Sequence, residues 1–153
     1  MTRKNLLMLH ILATIIGLFT IVSFFISTLL AEASGNTQLI VTIKTYILYA
    51  LPLLILAMPT LGITGNKLAG KKPSPKAQLK LKRMKFIAIN GIALITLAVL
   101  LYFKAVKEAF DTTFWTLQIL ELLLGFINIV LIGLNIKTGM KLSGKIKSPS
   151  HLS

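Results

Sequence analysis

The sequence predicts an all-α integral membrane protein that folds as an up-down-up-down bundle of four transmembrane helices, with both termini in the cytoplasm. Three observations lead to this prediction. The 153 residues are 55% hydrophobic and only 14% charged, whereas about a quarter of the residues of a soluble domain are charged. The apolar residues form four long blocks, and the basic residues collect in the segments on one side of those blocks.

Each of the four blocks is about long enough to cross a bilayer. A hydrocarbon core about 30 Å thick needs roughly 20 apolar residues in a helix that rises about 1.5 Å per residue. The predicted helices cover residues 6–30, 39–61, 86–103 and 114–136. They form one membrane domain, with a basic loop at 62–85 and a basic tail at 137–153. Short connections between the blocks favour antiparallel neighbours.

The distribution of positive charge predicts the orientation. All but three of the 17 Lys and Arg residues lie before the first block, in the loop 62–85 or in the tail 137–153. The exceptions are Lys44, Lys104 and Lys107. The positive-inside rule therefore places both termini and the long loop in the cytoplasm, and a bacterial inner membrane is the predicted location. Anionic headgroups attract each basic residue near the surface by about 1 kcal/mol.

The same distribution argues against a nucleic-acid partner, although the net charge is +13. In a soluble protein such a charge indicates nucleic-acid binding, but here the basic residues flank membrane segments.

The first block also resembles a signal peptide, because Ala31-Glu32-Ala33 follows it. Its apolar run is longer than the usual signal core of about 7–15 residues. We therefore expect it to be retained as a helix.

Several chemistries are excluded or disfavoured. The chain has no cysteine, which excludes disulfides, thiolate metal sites and cysteine nucleophiles. It has no pattern that predicts catalytic residues or a metal site.

Residues 65–72 match the G-x-x-x-x-G-K spacing of a phosphate-binding loop. That loop requires a preceding strand and a final hydroxyl, whereas here an apolar helix precedes, Lys72 replaces the hydroxyl and Pro73 follows. We expect these glycines to end the second helix instead.

A polar stripe runs along the fourth predicted helix, and its members are Gln118, Glu121, Asn128 and Asn135. A spacing of seven residues keeps Glu121, Asn128 and Asn135 on one face. A charge at bilayer depth costs several kcal/mol unless it is paired or faces a cavity, so this stripe should face other helices. Ala13 and Gly17 provide a small-xxx-small face on the first helix. The first and fourth helices are therefore predicted to pack together.

Lys44 and Glu121 are opposite charges at comparable depth, about 8 Å and 11 Å from the outer boundary by helical rise. We predict an intramembrane charge pair, with Gln118 beside it. Such a pair can simply fix helix register at little net stability. Alternatively it can handle a proton or cation, because intramembrane ionisable groups often mark pathways.

His10 is the only histidine inside the predicted membrane segments, and it lies in an inner polar layer with Met58, Asn90, Asn128 and Asn135. It is expected to hydrogen-bond Asn90 or Asn128. Alternatively, His10 could be an axial ligand of haem b, with Met58 or a second His10 opposite and a basic residue such as Arg83 near the propionates. A quinone head group could use His10 and Asn90.

These observations predict a non-catalytic accessory or interaction subunit of a larger membrane complex, or a homo-oligomer. The prediction depends on small size, the lack of a catalytic pattern and the lack of a large soluble domain. Two alternatives stay open. One is a haem b- or quinone-binding electron-transfer protein that uses His10, and the other is a small oligomeric transporter that uses Lys44 and Glu121.

Overall fold

Four long helices make up almost all of the part of the chain that the structure describes. A computed structural model describes residues 2–144, which form α1 (Arg3–Ala33), α2 (Thr37–Ala69), α3 (Pro75–Val106) and α4 (Thr112–Leu142). Each helix is long and apolar enough to cross a membrane. The prediction of an all-helical protein with four helices long and apolar enough to span a membrane is therefore confirmed.

Polar caps decide where each helix begins. The side chains of Thr2, Asn36, Ser74 and Asp111 each accept a hydrogen bond from a backbone N–H in the first turn of α1, α2, α3 and α4. Such caps satisfy donors that have no partner within the helix. Gly70 ends α2 with φ of +74°, a left-handed conformation that glycine adopts without steric cost.

The predicted helix bounds are too short, mainly around the basic loop. Within the segment 62–85 only residues 70–74 are outside a helix. Gly65 therefore lies inside α2, and only Gly70 ends it. The reason is that hydropathy detects only the part of a helix that matches the bilayer core. Lysine is a good helix former and Pro75 suits the first helical turn, so both helices continue past the apolar region.

The tail behaves similarly, because α4 continues to Leu142. The remaining predicted tail residues, 145–153, lie outside the described part of the chain. With 31 to 33 residues per helix, each helix is about 46–50 Å long. That length exceeds the hydrocarbon core and reaches into the headgroup regions.

The helices follow one another around the bundle. α1 packs on α2, α2 on α3 and α3 on α4, and a smaller α1–α4 contact closes the ring. The contacts of α1 with α2 join Gly17 to Ala57 and His10 to Thr64. Within residues 2–144, the backbones of α2 and α4 make no close approach, nor do those of α1 and α3. Side chains that join these pairs therefore cross the centre of the bundle.

The predicted pairing of the small face of α1 with α4 is wrong for Gly17. Its nearest neighbours are Ala57 Cβ and Leu61 Cδ1 of α2, each 3.8 Å from the position that a Cβ would take. The α1–α4 contact is made instead by Phe25, whose ring packs against Gly125 and Phe126. A large ring holds α1 and α4 further apart than a small-residue contact would.

The apolar core has contributions from all four helices. At one end, Ala31, Ile40, Leu101, Ala105 and Phe114 pack together. Large apolar side chains on the outside of every helix are exposed, among them Phe19, Leu56, Ile89 and Phe126. In water such a surface would cause association, whereas lipid tails solvate it as well as a protein interior does.

An exposed ion pair closes the connection between α3 and α4. Lys104 Nζ lies 2.8 Å from Asp111 Oδ2, and Asp111 Oδ1 also accepts a hydrogen bond from the Phe114 N–H. The hydrogen bond from Lys104 lowers the pKa of the Asp111 carboxyl below its usual range. Asp111 therefore keeps its negative charge at the positive N-terminus of α4.

Candidate functional site

The polar stripe of α4 faces the interior of the bundle. Gln118 is 1% exposed and Asn128 is fully buried, and Asn135 is also buried. These residues divide the interior into two polar layers. The first lies around Glu121, and the second lies around His10 at the end of the bundle where most lysines are found.

The structure brings Lys44 and Glu121 together in the first layer. Lys44 Nζ lies 2.6 Å from Glu121 Oε2, and the two side chains are 1% and 12% exposed. Gln118 Nε2 donates a second hydrogen bond to the same oxygen, at 3.2 Å. This contact joins α2 to α4 across the centre of the bundle.

Glu32 is a third ionisable member of the layer, and the sequence analysis missed it. The short bounds of the first predicted helix placed it in an outer loop, but α1 continues to Ala33. Both carboxylate oxygens of Glu32 are buried, without a hydrogen-bond partner among the described residues. Glu32 interacts electrostatically with both Lys44 and Glu121. Asn36 caps the start of α2. A short turn before this cap leaves residue 32 inside the first helix, so the cap signal could have revealed the position of Glu32.

We call Glu32, Lys44, Gln118 and Glu121 the carboxylate cluster. With every group ionised, it holds two carboxylates and one ammonium, which leaves one negative charge in excess. An unbalanced charge is costly at low dielectric, so the cluster favours uptake of a proton or a small cation. This charge balance is the main chemical property of the layer.

A cavity adjoins the carboxylate cluster. It has a volume of about 50 Å³, and its lining includes Glu121, Thr28 and Gly125 among mostly apolar side chains. A cavity needs only about 10–15 Å³ by this measure to hold a water molecule that has polar partners. Glu121 and Thr28 carry the polar side chains of this lining, so they are the groups that a water molecule in the cavity would contact.

His10 forms the second layer with residues of α2 and α3. Its Nδ1 lies 2.8 Å from Thr64 Oγ1, and its Nε2 lies 3.4 Å from Lys80 Nζ. Because Thr64 Oγ1 donates its own hydrogen to Thr60 O, it accepts a hydrogen bond from His10 Nδ1. Nε2 is then the acceptor that faces the Lys80 ammonium. Both ring nitrogens of His10 therefore have partners.

The expected partners of His10 lie elsewhere. Asn90 Nδ2 donates to the backbone oxygen of Leu124, which directs it towards α4. Both polar atoms of the Asn128 side chain are buried without a hydrogen-bond partner in residues 2–144. Thr64 of the neighbouring helix α2 was not predicted as a partner, because a threonine hydroxyl in a helix normally donates to a backbone carbonyl of the same helix. Here that hydroxyl also accepts from the imidazole.

The residues proposed to bind haem are not gathered around one ligand position. Met58 packs against Gly91, whereas Met84 packs against Gly65 next to His10. Arg83 donates to Thr138 Oγ1 at 3.2 Å. Binding of iron by His10 Nε2 would require the ring to lose its contact with Lys80. Within residues 2–144, no group of three acidic, histidine or cysteine side chains is arranged to hold a metal ion.

We expect His10 to act as a packing residue. His10→Ala should lower the free energy of unfolding by about 1–2 kcal/mol, the value of an interhelical hydrogen bond in a membrane. Thr64→Val should cost a similar amount, and the double variant should cost less than the sum because both changes remove the same bond. Unfolding in sodium dodecyl sulfate measures these differences. A Soret band in the purified wild-type protein that His10→Ala abolishes would contradict this expectation.

The geometry of these two layers is the basis for any statement about function. No protein-family model, no curated protein and no solved structure matches this chain. Function must therefore be argued from the chemistry of the site itself.

Proposed function

We propose that this protein is a small membrane transporter, active as an oligomer, that moves protons or small cations through the carboxylate cluster. The observation that carries the proposal is the excess of one carboxylate over the Lys44 ammonium in a buried layer. A purely structural pair needs one acid and one base. The second acid, Glu32, gives the layer a site that can bind and release a proton or a small cation.

The contact between Lys44 and Glu121 can be broken and remade as Glu121 gains and loses charge. When a proton or cation neutralises Glu121, its attraction for Lys44 falls, and the ammonium can turn towards Glu32. Since this contact joins α2 to α4 across the bundle, a change of partner also changes how strongly these helices are held. Binding and helix movement are thereby linked through one side chain.

Buried polar atoms without partners support a hydrated route from this layer towards the other end. The cavity lies next to Glu121, and Asn128 follows seven residues further along α4, about 10 Å away by helical rise. Its buried amide has an unused donor and an unused acceptor, which a water molecule could satisfy. The next polar residue on this face is Asn135, near the layer around His10. Polar groups thus recur through most of the bundle.

The orientation belongs to the same proposal. We propose the up-down-up-down arrangement in a bacterial inner membrane, with the lysine-rich end and both termini in the cytoplasm. The support is the positive-inside rule and the contact pattern, in which residues near the start of α1 contact residues near the end of α2. The carboxylate cluster then lies closer to the external face.

Single cysteines test this orientation, because the chain contains none of its own. With an impermeant thiol reagent on intact cells, Thr37→Cys and Lys107→Cys should be labelled. Lys4→Cys and Lys72→Cys should be labelled only after the membrane is opened, since the basic segments remain on the cytoplasmic side. All four positions are exposed. The reverse pattern would show that the orientation is wrong.

Flux measurements test transport directly. The wild-type protein in liposomes should move protons or cations down an imposed gradient, read with a pH-sensitive dye and with Na⁺ and K⁺ indicators. Glu121→Gln should lower the rate by at least about tenfold, which corresponds to roughly 1.4 kcal/mol. The matched control is Glu108→Gln, which removes the same charge at an exposed position in the α3–α4 connection and should leave the rate unchanged.

A second variant separates loss of transport from loss of folding. Glu121→Gln leaves Lys44 buried without its partner, which can cost about 3–5 kcal/mol. Lys44→Met, Glu121→Leu and Glu32→Gln together remove every charge of the cluster, so this triple variant should fold as well as the wild type or better. It should not support flux. Wild-type rates in the triple variant would show that the charges of the cluster are only structural.

The second candidate function is an accessory subunit of a larger membrane complex. The observation that favours it is the extension of α2 and α3 to residues 69 and 75, which makes the basic loop region a stiff helical hairpin that can bind an acidic partner. Purification in mild detergent should then recover a second protein at fixed stoichiometry. Recovery of this chain alone, as a homo-oligomer, would count against this candidate and suit the transporter.

A further inference from the structure

The acidic side chains of the protein all lie away from its most basic end. The chain has four Asp and Glu residues. Glu32 and Glu121 belong to the carboxylate cluster, and Glu108 and Asp111 lie at the connection between α3 and α4. None is near His10, Lys80 or Arg83. The positive charges in that region therefore have no carboxylate side chain to balance them.

Lys80 is the residue for which this imbalance matters most. Its side chain is half-buried, and Nζ lies 3.4 Å from His10 Nε2 of α1 and 3.3 Å from the position that a Cβ of Gly139 in α4 would take. The ammonium thus lies where α1, α3 and α4 meet. His10 Nε2 is its one acceptor among the described residues, although an ammonium has three donors. A cation held in this way attracts an anion.

Arg83 adds a second cation on the same face of α3. Residues three apart on a helix are neighbours, so Arg83 follows Lys80 along the surface that faces α4. Its Nη1 donates to Thr138 Oγ1 at 3.2 Å, which keeps the guanidinium beside α4. A guanidinium has five N–H donors, so this bond uses only one of them. An ammonium and a guanidinium on one face provide the donors that a phosphate group needs.

The depth of this position suits the headgroup of a lipid. His10 lies four residues inside the first apolar block, about 6 Å from its edge by helical rise. Lys80 Nζ contacts this ring, so its ammonium lies at the boundary between the apolar region and the headgroups. The phosphates of lipids are found next to this boundary. Gly139 leaves the space beside Nζ without a side chain.

We propose that Lys80 and Arg83 form a phosphate-binding site between α1, α3 and α4, which the headgroup phosphate of an anionic lipid occupies in the membrane. This site is separate from the carboxylate cluster and does not depend on transport. It differs from a general attraction of lysines to the membrane, because it assigns the effect to two half-buried side chains. Exposed lysines of the same helix, such as Lys82 and Lys85, should contribute little.

Lipid titration of the purified full chain tests the site. In a neutral detergent, phosphatidylglycerol should raise the unfolding temperature, and phosphatidylcholine should not at equal concentration. Lys80→Gln should weaken the apparent affinity for phosphatidylglycerol by at least about tenfold, because a charge-assisted hydrogen bond to phosphate is lost. The matched control, Lys82→Gln, removes the same charge from the same helix. It should change the apparent affinity for phosphatidylglycerol by less than about fivefold.

The stability of the variant without lipid gives a second readout. Since Lys80 lacks a balancing charge, Lys80→Gln should be at least as stable as the wild type in neutral detergent. If this variant does not fold, Arg83→Gln provides the same affinity comparison. Equal responses of the Lys80 and Lys82 variants, or equal effects of the two lipids on the wild type, would overturn the proposal.

Inorganic phosphate distinguishes the source of the phosphate group. If millimolar inorganic phosphate alone reproduces the stabilisation, and Lys80→Gln abolishes it, the site binds free phosphate and its assignment to a lipid is wrong. If inorganic phosphate has no effect while phosphatidylglycerol does, the lipid assignment is supported.

Discussion

The ion pair between Lys44 and Glu121 is the constraint on which the arrangement of the bundle depends. Its two residues belong to helices whose backbones do not otherwise approach each other, so the 2.6 Å contact crosses the centre of the protein. Neither charge can face lipid, which forces one face of α2 and one face of α4 inward. The remaining polar residues of α4 follow, because they share that face. A single buried contact thereby determines the rotation of two helices.

The acidic and basic side chains are separated along the bundle. Carboxylates are found around Lys44 and in the α3–α4 connection, whereas the opposite end holds His10, Lys80 and Arg83 without an acidic side chain. One layer has an excess of negative charge and the other an excess of positive charge. Each excess can be balanced by a ligand of opposite sign. A proton or cation at one layer and a phosphate at the other would meet this physical requirement.

Buried polar atoms without a partner occur both in the two layers and between them. Asn128, Glu32 and parts of Gln118 and Asn135 have buried polar atoms without a partner among the described residues. In a core optimised only for stability, apolar side chains at these positions would pack as well, without the desolvation cost of a buried amide. A water molecule or a ligand with polar groups could satisfy these atoms. The cavity beside Glu121 shows where the packing leaves space for it.

The sequence by itself determined the membrane class, the number of helices, and the inward position of the polar stripe, because long apolar blocks and a heptad spacing allow few alternatives. It also predicted the pairing of Lys44 with Glu121, since opposite charges at comparable depth in the membrane attract each other. It could not determine the full length of the helices, because hydropathy ends where the bilayer core ends while helix propensity continues through Lys and Gln residues. Glu32 was missed for that reason. Only the tertiary structure decided that Gly17 faces α2 and that His10 meets Thr64 and Lys80. These contacts depend on which helices are neighbours and how each is rotated, and local sequence does not encode either.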